Sequence, residues 1–357
     1  MRYLLDSVYW TERESLTEVP LDPLGLDQMK EELADRLVPF LTGRTSHVEE
    51  AFWALVFLRW ASSDSSSESA TISKFLRWER CLKLVWVHFR STAPYEGFPG
   101  VQRAGSQSRE LNAPSLRFRP LLVNQRTQGL LGAYFRPLQK LEIFETEVLT
   151  PSERGRMWTA SIPYGPSLRK GDWGDWRSKL MTVRSQNLHI FTRRFQDLLR
   201  MKMPLLHMAL RRSHWNRKAS WARAAKWLGD DAPYALLAEH FGPWANQVRE
   251  AFDEVVFDRL KGPIKVPSFR WEIPPQLEGP RWEWLRSELR GKPISIDVLA
   301  EWHLREYSLR GKTASQLWLV KNGHEFEIHS YRGSRSRTLN SDFRWSNAVS
   351  MMLPRGN

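Results

Sequence analysis

The chain has 357 residues, 41% of them hydrophobic, which is enough for two or three domains with sizeable cores. Its formal net charge of +13 is uneven: residues 1–100 hold 11 Lys and Arg against 15 Asp and Glu, whereas residues 151–250 hold 18 against 8. A single cysteine, no N-terminal signal pattern and no apolar run long enough to span a bilayer exclude disulfide-stapled secreted and membrane-spanning classes, so we expect a cytoplasmic protein without a membrane partner.

The first part of the chain, residues 1–90, is predicted to be an acidic helical domain. Apolar residues recur at four-residue spacing after Asp27, which we expect to cap the first helix. The almost wholly apolar run at residues 51–58 predicts a helix at the centre of the core. Residues 91–120 are rich in Pro, Gly, Ser and Arg, and this composition predicts a linker.

Residues 121–165 are predicted to contain two helices separated by a short extended piece, with Thr150 as the N-cap and Pro151 in the first turn of the second helix. The order of a helix, the letters LEIF, a short turn and LTPSERG resembles the end of a winged-helix domain. In that family a helix closes on LGLI and the next segment opens with LTPEG, so Glu142 stands where the family has glycine. The resemblance implies a nucleic-acid-reading unit. Two helices packed in a larger bundle are the alternative.

Residues 166–262 are predicted to form a basic helical region that binds nucleic acid, because basic residues interleaved with aromatic ones can hold phosphates and stack on bases. Trp215, Trp221 and Trp227 are spaced by six residues, so they cannot share one helical face and at least one is expected to pack inward. A solvated helix face and contact with an acidic protein patch are the alternatives. The predicted nucleic-acid-binding residues of this region are Arg193, Arg194, Arg211, Arg212, Trp215, Arg217, Lys218, Trp221, Arg223 and Lys226.

In the last part of the chain the periodicity of the apolar residues changes. Residues 263–281 are rich in proline and predict a second linker, and residues 282–357 predict a small α+β unit. In this unit a helix at residues 298–311 precedes two strands joined by Asn322-Gly323, a strong hairpin signal. A basic tail after the second strand completes the predicted nucleic-acid contacts, as a wing along a phosphate backbone; a plain hairpin is the alternative. Its predicted contact residues are Arg332, Arg335 and Arg337.

We find no pattern for a metal centre, a phosphate-binding loop or a hydrolase nucleophile, and we expect no cofactor and no catalytic residue. The best carboxylate cluster for a metal-dependent nuclease is Asp253, Glu254 and Asp258, which share near-helical spacing. Glu301 and Glu306 are a second choice. A solvated helix face explains these acids more simply.

Three stretches resemble uncharacterised bacterial proteins encoded among anti-phage defence genes. They are DPLGL at residues 22–26, LLGAYF with LTPSERG inside residues 130–158, and FRWSNAV at residues 343–349. The resemblance implies a DNA-directed defence component and assigns no activity to it.

The sequence therefore predicts a mainly α, multi-domain protein with a winged-helix unit and a small C-terminal α+β unit carrying a β-hairpin. Its predicted function is non-catalytic binding of nucleic acid, with DNA favoured over RNA, inside a complex with protein partners. A structural protein–protein interaction subunit and a metal-dependent nuclease are the two alternatives.

Overall fold

The computed structural model describes residues 22–45, 47–63, 65, 67–88, 129–165, 173–212, 221–257, 264–311, 319–322, 325–328 and 343–352. Most of these residues are helical, which confirms the mainly α class. The predicted linker at residues 91–120 lies outside them. Among the described helices, none combines the length and the apolar composition that crossing a bilayer requires.

The helices differ widely in length, and two of them adjoin turns of other helical types. A 3₁₀ turn (Gly229–Asp231) precedes the ninth helix, and a π-helical turn (Leu285–Leu289) follows the tenth. In chain order the helices are α1 (Leu26–Leu37), α2 (Val48–Ser62), α3 (Glu68–His88), α4 (Leu130–Lys140), α5 (Glu153–Trp158), α6 (Trp173–Lys202), α7 (Pro204–Arg212), α8 (Trp221–Ala225), α9 (Ala232–Phe257), α10 (Pro280–Trp284), α11 (Ile296–Leu309) and α12 (Trp345–Met352).

Two short strands, β1 (Leu319–Asn322) and β2 (Glu325–Ile328), pair in an antiparallel register. Leu319 lies opposite Ile328 and Asn322 lies opposite Glu325. Gly323, the second residue of the predicted turn, lies outside the described part of the chain.

The described residues form two compact units, each built from separate stretches of chain. The first unit draws on Met1–Pro39 and Met208–Trp345, and the second draws on Phe40–His207 and Ser346–Asn357. The sequence interpretation instead divided the chain into consecutive segments and placed α1 beside α2 and α3. The structure groups α1 with α9, because the apolar face of α1 packs on that helix.

The second unit is built around α2, which packs against α3, α4 and α6. Every residue from 51 to 58 is buried, as the apolar run predicted, and the burial extends back to residue 48, which includes Glu49 and Glu50. Glu49 accepts two hydrogen bonds from the Arg184 guanidinium at 2.7 and 3.1 Å, and Glu50 accepts one from the Tyr134 hydroxyl at 2.7 Å. Both carboxylates are thus satisfied by partners on neighbouring helices, which a buried charge requires.

In the first unit, α1 begins under an aspartate cap. The Asp22 carboxylate accepts the backbone N–H groups of Leu26, Asp27 and Gln28 at 2.9, 2.7 and 3.3 Å. Asp22, rather than Asp27 as the sequence predicted, therefore satisfies the amide groups that have no partner within the first turn.

The Glu306 carboxylate ties three distant parts of the first unit together. It is 1% exposed and accepts hydrogen bonds from Arg281 Nε and Nη2, both at 2.8 Å, and from Arg310 Nε at 2.6 Å. Arg310 also donates to the Asp22 carbonyl oxygen at 2.6 Å. Gly25 has a φ of +68°, a conformation that favours glycine. A Cβ there would also lie 2.5 Å from Glu306 Oε2, so both the backbone conformation and the close approach require glycine.

Two buried titratable groups lie beside this carboxylate. Burial raises the pKa of Asp22 to about 6 and the charge of Asp27 acts in the same direction, whereas the nearby guanidinium groups lower it. One of these guanidinium groups is that of Arg249 on α9, 3.3 Å from Asp22 Oδ1. Burial also lowers the pKa of His303 to about 4, although its Nδ1 lies 3.0 Å from the Pro23 carbonyl oxygen.

The proline-rich stretch is irregular, as predicted, but it packs as part of the first unit. Phe269, Ile273 and Leu277 are buried, and Phe269 forms an isolated parallel bridge with Arg290. The Trp244 indole N–H of α9 donates to the Pro267 carbonyl oxygen within this stretch, at 2.9 Å. The apolar residues between the prolines therefore make this segment part of the core.

Replacing Glu306 by Gln is expected to lower the free energy of unfolding by about 3 kcal/mol, because the buried carboxylate loses its ion pairs with two half-buried guanidinium groups. The matched control is Glu288→Gln, which breaks an exposed pair with Lys292 at 3.2 Å and is expected to cost less than about 0.5 kcal/mol. Urea unfolding followed by tryptophan fluorescence measures both. Equal losses in the two variants would contradict the central role of Glu306.

The pH dependence of stability is expected to change in an Asp22→Asn variant. The raised pKa of Asp22 favours the folded state as pH falls from about 6 towards the ordinary value of 3.8. The lowered pKa of His303 acts oppositely, since its contribution is full above 6.5 and is lost as pH falls towards about 4. In the Asp22→Asn variant the effect of His303 is no longer offset. The free energy of unfolding of the variant should therefore fall by about 2–3 kcal/mol more than that of the parent between pH 6.5 and pH 4.

Urea titrations at intervals of half a pH unit test this expectation. Asp175→Asn, at an exposed carboxylate that pairs with Lys179, is the control and should follow the parent curve. Parallel curves for Asp22→Asn and the parent would refute the assignment.

Candidate nucleic-acid interface

The end of α7 and the short helix α8 present four basic side chains on the surface of the first unit. Arg211 and Arg212 are exposed in the last turn of α7. Arg223 and Lys226 are exposed on and after α8, because the inward face of this helix is taken by the buried residues Trp221, Ala224 and Ala225. We call Arg211, Arg212, Arg223 and Lys226, together with Trp227, the basic cluster.

Trp227 brings two of these cations to one place. The Arg212 guanidinium carbon lies 4.2 Å from the centroid of its ring, and Lys226 Nζ lies 5.1 Å from it. Both distances are within the range in which an aromatic ring attracts a cation. The Trp227 backbone N–H donates to the Ala224 carbonyl at 2.9 Å, and Leu228, the next residue, is buried, so the backbone that carries this partly exposed indole is anchored.

None of the four basic side chains of the cluster forms an ion pair with a described carboxylate. Half-buried Arg286 of the same unit donates to the Pro274 and Leu277 carbonyl oxygens. Four other buried or half-buried guanidinium groups of this unit, in contrast, pair with carboxylates. Those paired residues are Arg249, Arg281, Arg310 and Arg344. The cluster therefore keeps its positive charge uncompensated within the part of the chain that the structure describes.

Two acidic residues near the cluster make contacts with groups other than its four basic side chains. Glu239 accepts the backbone N–H of Ala222, at 3.3 Å, near the start of α8. Asp231 pairs with Arg36 at 3.4 Å, and burial raises the pKa of the Asp231 carboxyl. Arg36 in turn lies over the ring of Tyr234, with 5.0 Å between the guanidinium carbon and the centroid.

Trp221 was predicted to contact nucleic acid, but the structure places it in the core. It is 2% exposed and packs edge-on against Trp345, with 4.9 Å between the ring centroids. Its ring therefore cannot receive a base, and the expectation that one tryptophan packs inward is met by this residue. Trp227, which sequence reasoning left out of the contact list, lies at the surface instead.

The remaining predicted residues are divided between the other unit and undescribed parts of the chain. Arg193 and Arg194 are exposed on α6 in the second unit, and no described carboxylate pairs with either of them. Several predicted contacts lie outside the described residues: Trp215, Arg217, Lys218, Arg332, Arg335 and Arg337.

The carboxylates considered for a nuclease do not point the same way. Asp253 is buried in α9 and its neighbour Glu254 is exposed, while Asp258 lies outside the described residues. On α11, Glu301 is exposed, whereas Glu306 is buried between guanidinium groups. Within the described ranges, no three His, Cys, Asp or Glu side chains are grouped to hold a metal ion.

The segment that resembles a winged helix is well defined in the second unit. It consists of α4, an isolated antiparallel bridge between Phe144 and Pro151, and α5, which begins at Glu153. Ser152, rather than Thr150, caps α5 by accepting the Gly155 N–H at 3.1 Å. Most of α4 is buried, and it packs against α2.

Glu142, which replaces the glycine of the winged-helix pattern, has a φ of +59°. This left-handed conformation is the one that glycine adopts without cost. The Glu142 side chain is exposed and pairs with Arg154 at 3.1 Å and Lys202 at 3.0 Å, and the hydrogen bond from Lys202 is the main cause that lowers its pKa. These contacts are made by a residue whose backbone is strained.

No protein family, no curated protein and no solved structure matches the chain.

Replacing Glu142 by Gly and, in a second variant, by Ala distinguishes the effect of its backbone conformation from the effect of its side chain. Both changes remove the ion pairs with Arg154 and Lys202, but only glycine relieves the positive φ. The Gly variant is therefore expected to unfold roughly 2–4 °C higher than the Ala variant in a thermal melt. Identical melting temperatures would contradict the left-handed assignment at this position.

Proposed function

We propose that the protein is a non-catalytic nucleic-acid-binding component of a bacterial multi-protein system, with DNA favoured over RNA. The observation that carries the proposal is the basic cluster: four exposed cations without a described carboxylate partner, two of them held on one tryptophan ring. Exposed cations that the protein leaves uncompensated attract a polyanion. The charge distribution supports this, because the cluster falls within residues 151–250, the most basic part of the chain.

In the proposed mechanism the cluster binds phosphates and releases the counterions that surround them. Each phosphate that is neutralised releases a counterion, so the affinity falls steeply with salt. Arg211 and Arg212 supply planar guanidinium groups that suit phosphate oxygens, and Lys226 supplies a compact ammonium charge. Contacts of this kind fix a protein on the backbone of a nucleic acid and carry no sequence information directly.

Further contacts belong to the same proposal. The exposed Arg193 and Arg194 would add a second basic surface on the other unit. The strands β1 and β2 would form the base of a hairpin whose basic tail, with Arg332, Arg335 and Arg337, lies along the phosphate backbone. The segment of residues 125–160, which resembles a winged helix, would read the base sequence through the few exposed residues of α4, such as Arg136.

Anti-phage defence is the proposed setting, on the strength of the three sequence stretches that resemble proteins encoded among defence genes. The acidic segment of residues 1–100 would dock a basic partner subunit. A purely structural subunit remains the alternative function, favoured by the exposed apolar side chains Leu304 and Leu309 on α11, which are 49% and 43% exposed.

Binding to labelled duplex DNA, single-stranded DNA and RNA of equal length, across a salt series, tests the proposal. A variant with Arg211, Arg212, Arg223 and Lys226 all changed to Gln is expected to bind duplex DNA more than about tenfold more weakly, with a salt slope smaller by up to about 4. The control changes four exposed basic residues elsewhere in the same unit, Lys265, Arg270, Arg290 and Arg305, and removes the same charge.

The control variant should retain the affinity and salt slope of the parent within about twofold. Equal losses in both variants would show that net charge alone matters and would contradict the assignment to the cluster. An absence of binding by the parent protein at low salt would overturn the proposed function and favour the structural subunit.

A further inference from the structure

Arg212 and Lys226 both lie against the ring of Trp227, and neither has a described carboxylate partner. Their charged groups lie 4.2 and 5.1 Å from one ring centroid, so they are at most about 9 Å apart, within one Debye length at 0.1 M salt. The two cations therefore repel each other. The attraction of the Trp227 ring offsets this repulsion and keeps both side chains in place.

The arrangement leaves the hydrogen-bonding edges of the cations for another partner. A ring attracts a cation through its face and accepts no conventional hydrogen bond from it, so the N–H groups of Arg212 and Lys226 remain donors. No described carboxylate pairs with them. A phosphate that binds both cations would remove their mutual repulsion and satisfy these donors at once.

We propose that Arg212, Trp227 and Lys226 form a phosphodiester-binding subsite in which Trp227 is a positioning residue and does not stack on a base. This inference rests on the proposed function and deepens it, because it names the part of the nucleic acid that the cluster contacts. Its ligand is the phosphate backbone, which single-stranded and duplex forms share. Trp227 then acts on affinity only through the two cations that it holds.

A mutant cycle separates positioning from stacking. Trp227→Leu removes the ring, Trp227→Phe keeps an aromatic face, and Arg212→Gln with Lys226→Gln removes both cations. Each protein is titrated with single-stranded and duplex DNA of equal length at low salt, and thermal melting establishes that each variant is folded. The cycle compares the effect of Trp227→Leu in the parent with its effect in the Arg212→Gln, Lys226→Gln background.

We expect Trp227→Leu to weaken binding of both DNA forms by about three- to tenfold in the parent. In the background without the two cations it should change affinity less than about twofold, because the ring then has nothing to position. Trp227→Phe should remain within about twofold of the parent in both DNA forms.

Two results would overturn the inference while leaving the proposed function intact. The first is an equal loss from Trp227→Leu with and without the cations, or a loss confined to single-stranded DNA, which would make Trp227 a base-stacking residue. The second is an unchanged affinity of Trp227→Leu in a parent that binds DNA. A parent that binds neither DNA form would overturn the proposed function and the subsite together.

Discussion

The first unit depends on one buried carboxylate, that of Glu306, because it pairs with two guanidinium groups. Arg281 and Arg310 are half-buried, and both would lose this charged acceptor without Glu306, which costs free energy. Through Arg310 the network reaches Asp22, which caps α1, and through Asp22 it reaches Arg249 in the middle of α9. The position of α1 on α9 is thus fixed by charge as well as by apolar packing.

The basic cluster is supported by the same framework. The helix α8 packs on α9, and Arg36, near the end of α1, pairs with Asp231 in the turn that follows Trp227. The backbone beside the cluster is therefore held from α1 as well as from α9. Charge is arranged in two ways in this unit: guanidinium groups beneath the surface pair with carboxylates, whereas the exposed cations near Trp227 have no described carboxylate partner.

The sequence was informative where a residue's neighbours along the chain determine its environment. The burial of the helix at residues 51–58 followed from its apolar run, and the burial of one tryptophan followed from the six-residue spacing. Contacts between residues far apart in the sequence could not be predicted in this way. Asp22 rather than Asp27 caps α1, and its partner Arg249 lies 227 positions further along the chain. No local signal distinguishes the buried Trp221 from the partly exposed Trp227, since both follow basic or polar residues. At residue 142 the sequence has Glu, whereas a glycine there would have indicated the left-handed backbone conformation.

The interleaved connectivity of the two units has a consequence for synthesis. The hydrogen bond between Arg310 and the Asp22 carbonyl joins residues 288 positions apart, and α1 has its packing partner only in the later part of the chain. At a translation rate of roughly 5–20 residues per second, on the order of 15 s to 1 min separates the emergence of these two residues from the ribosome. During that interval the apolar face of α1 has no native surface to cover it. The first unit must therefore complete its folding late, after most of the second unit has been made.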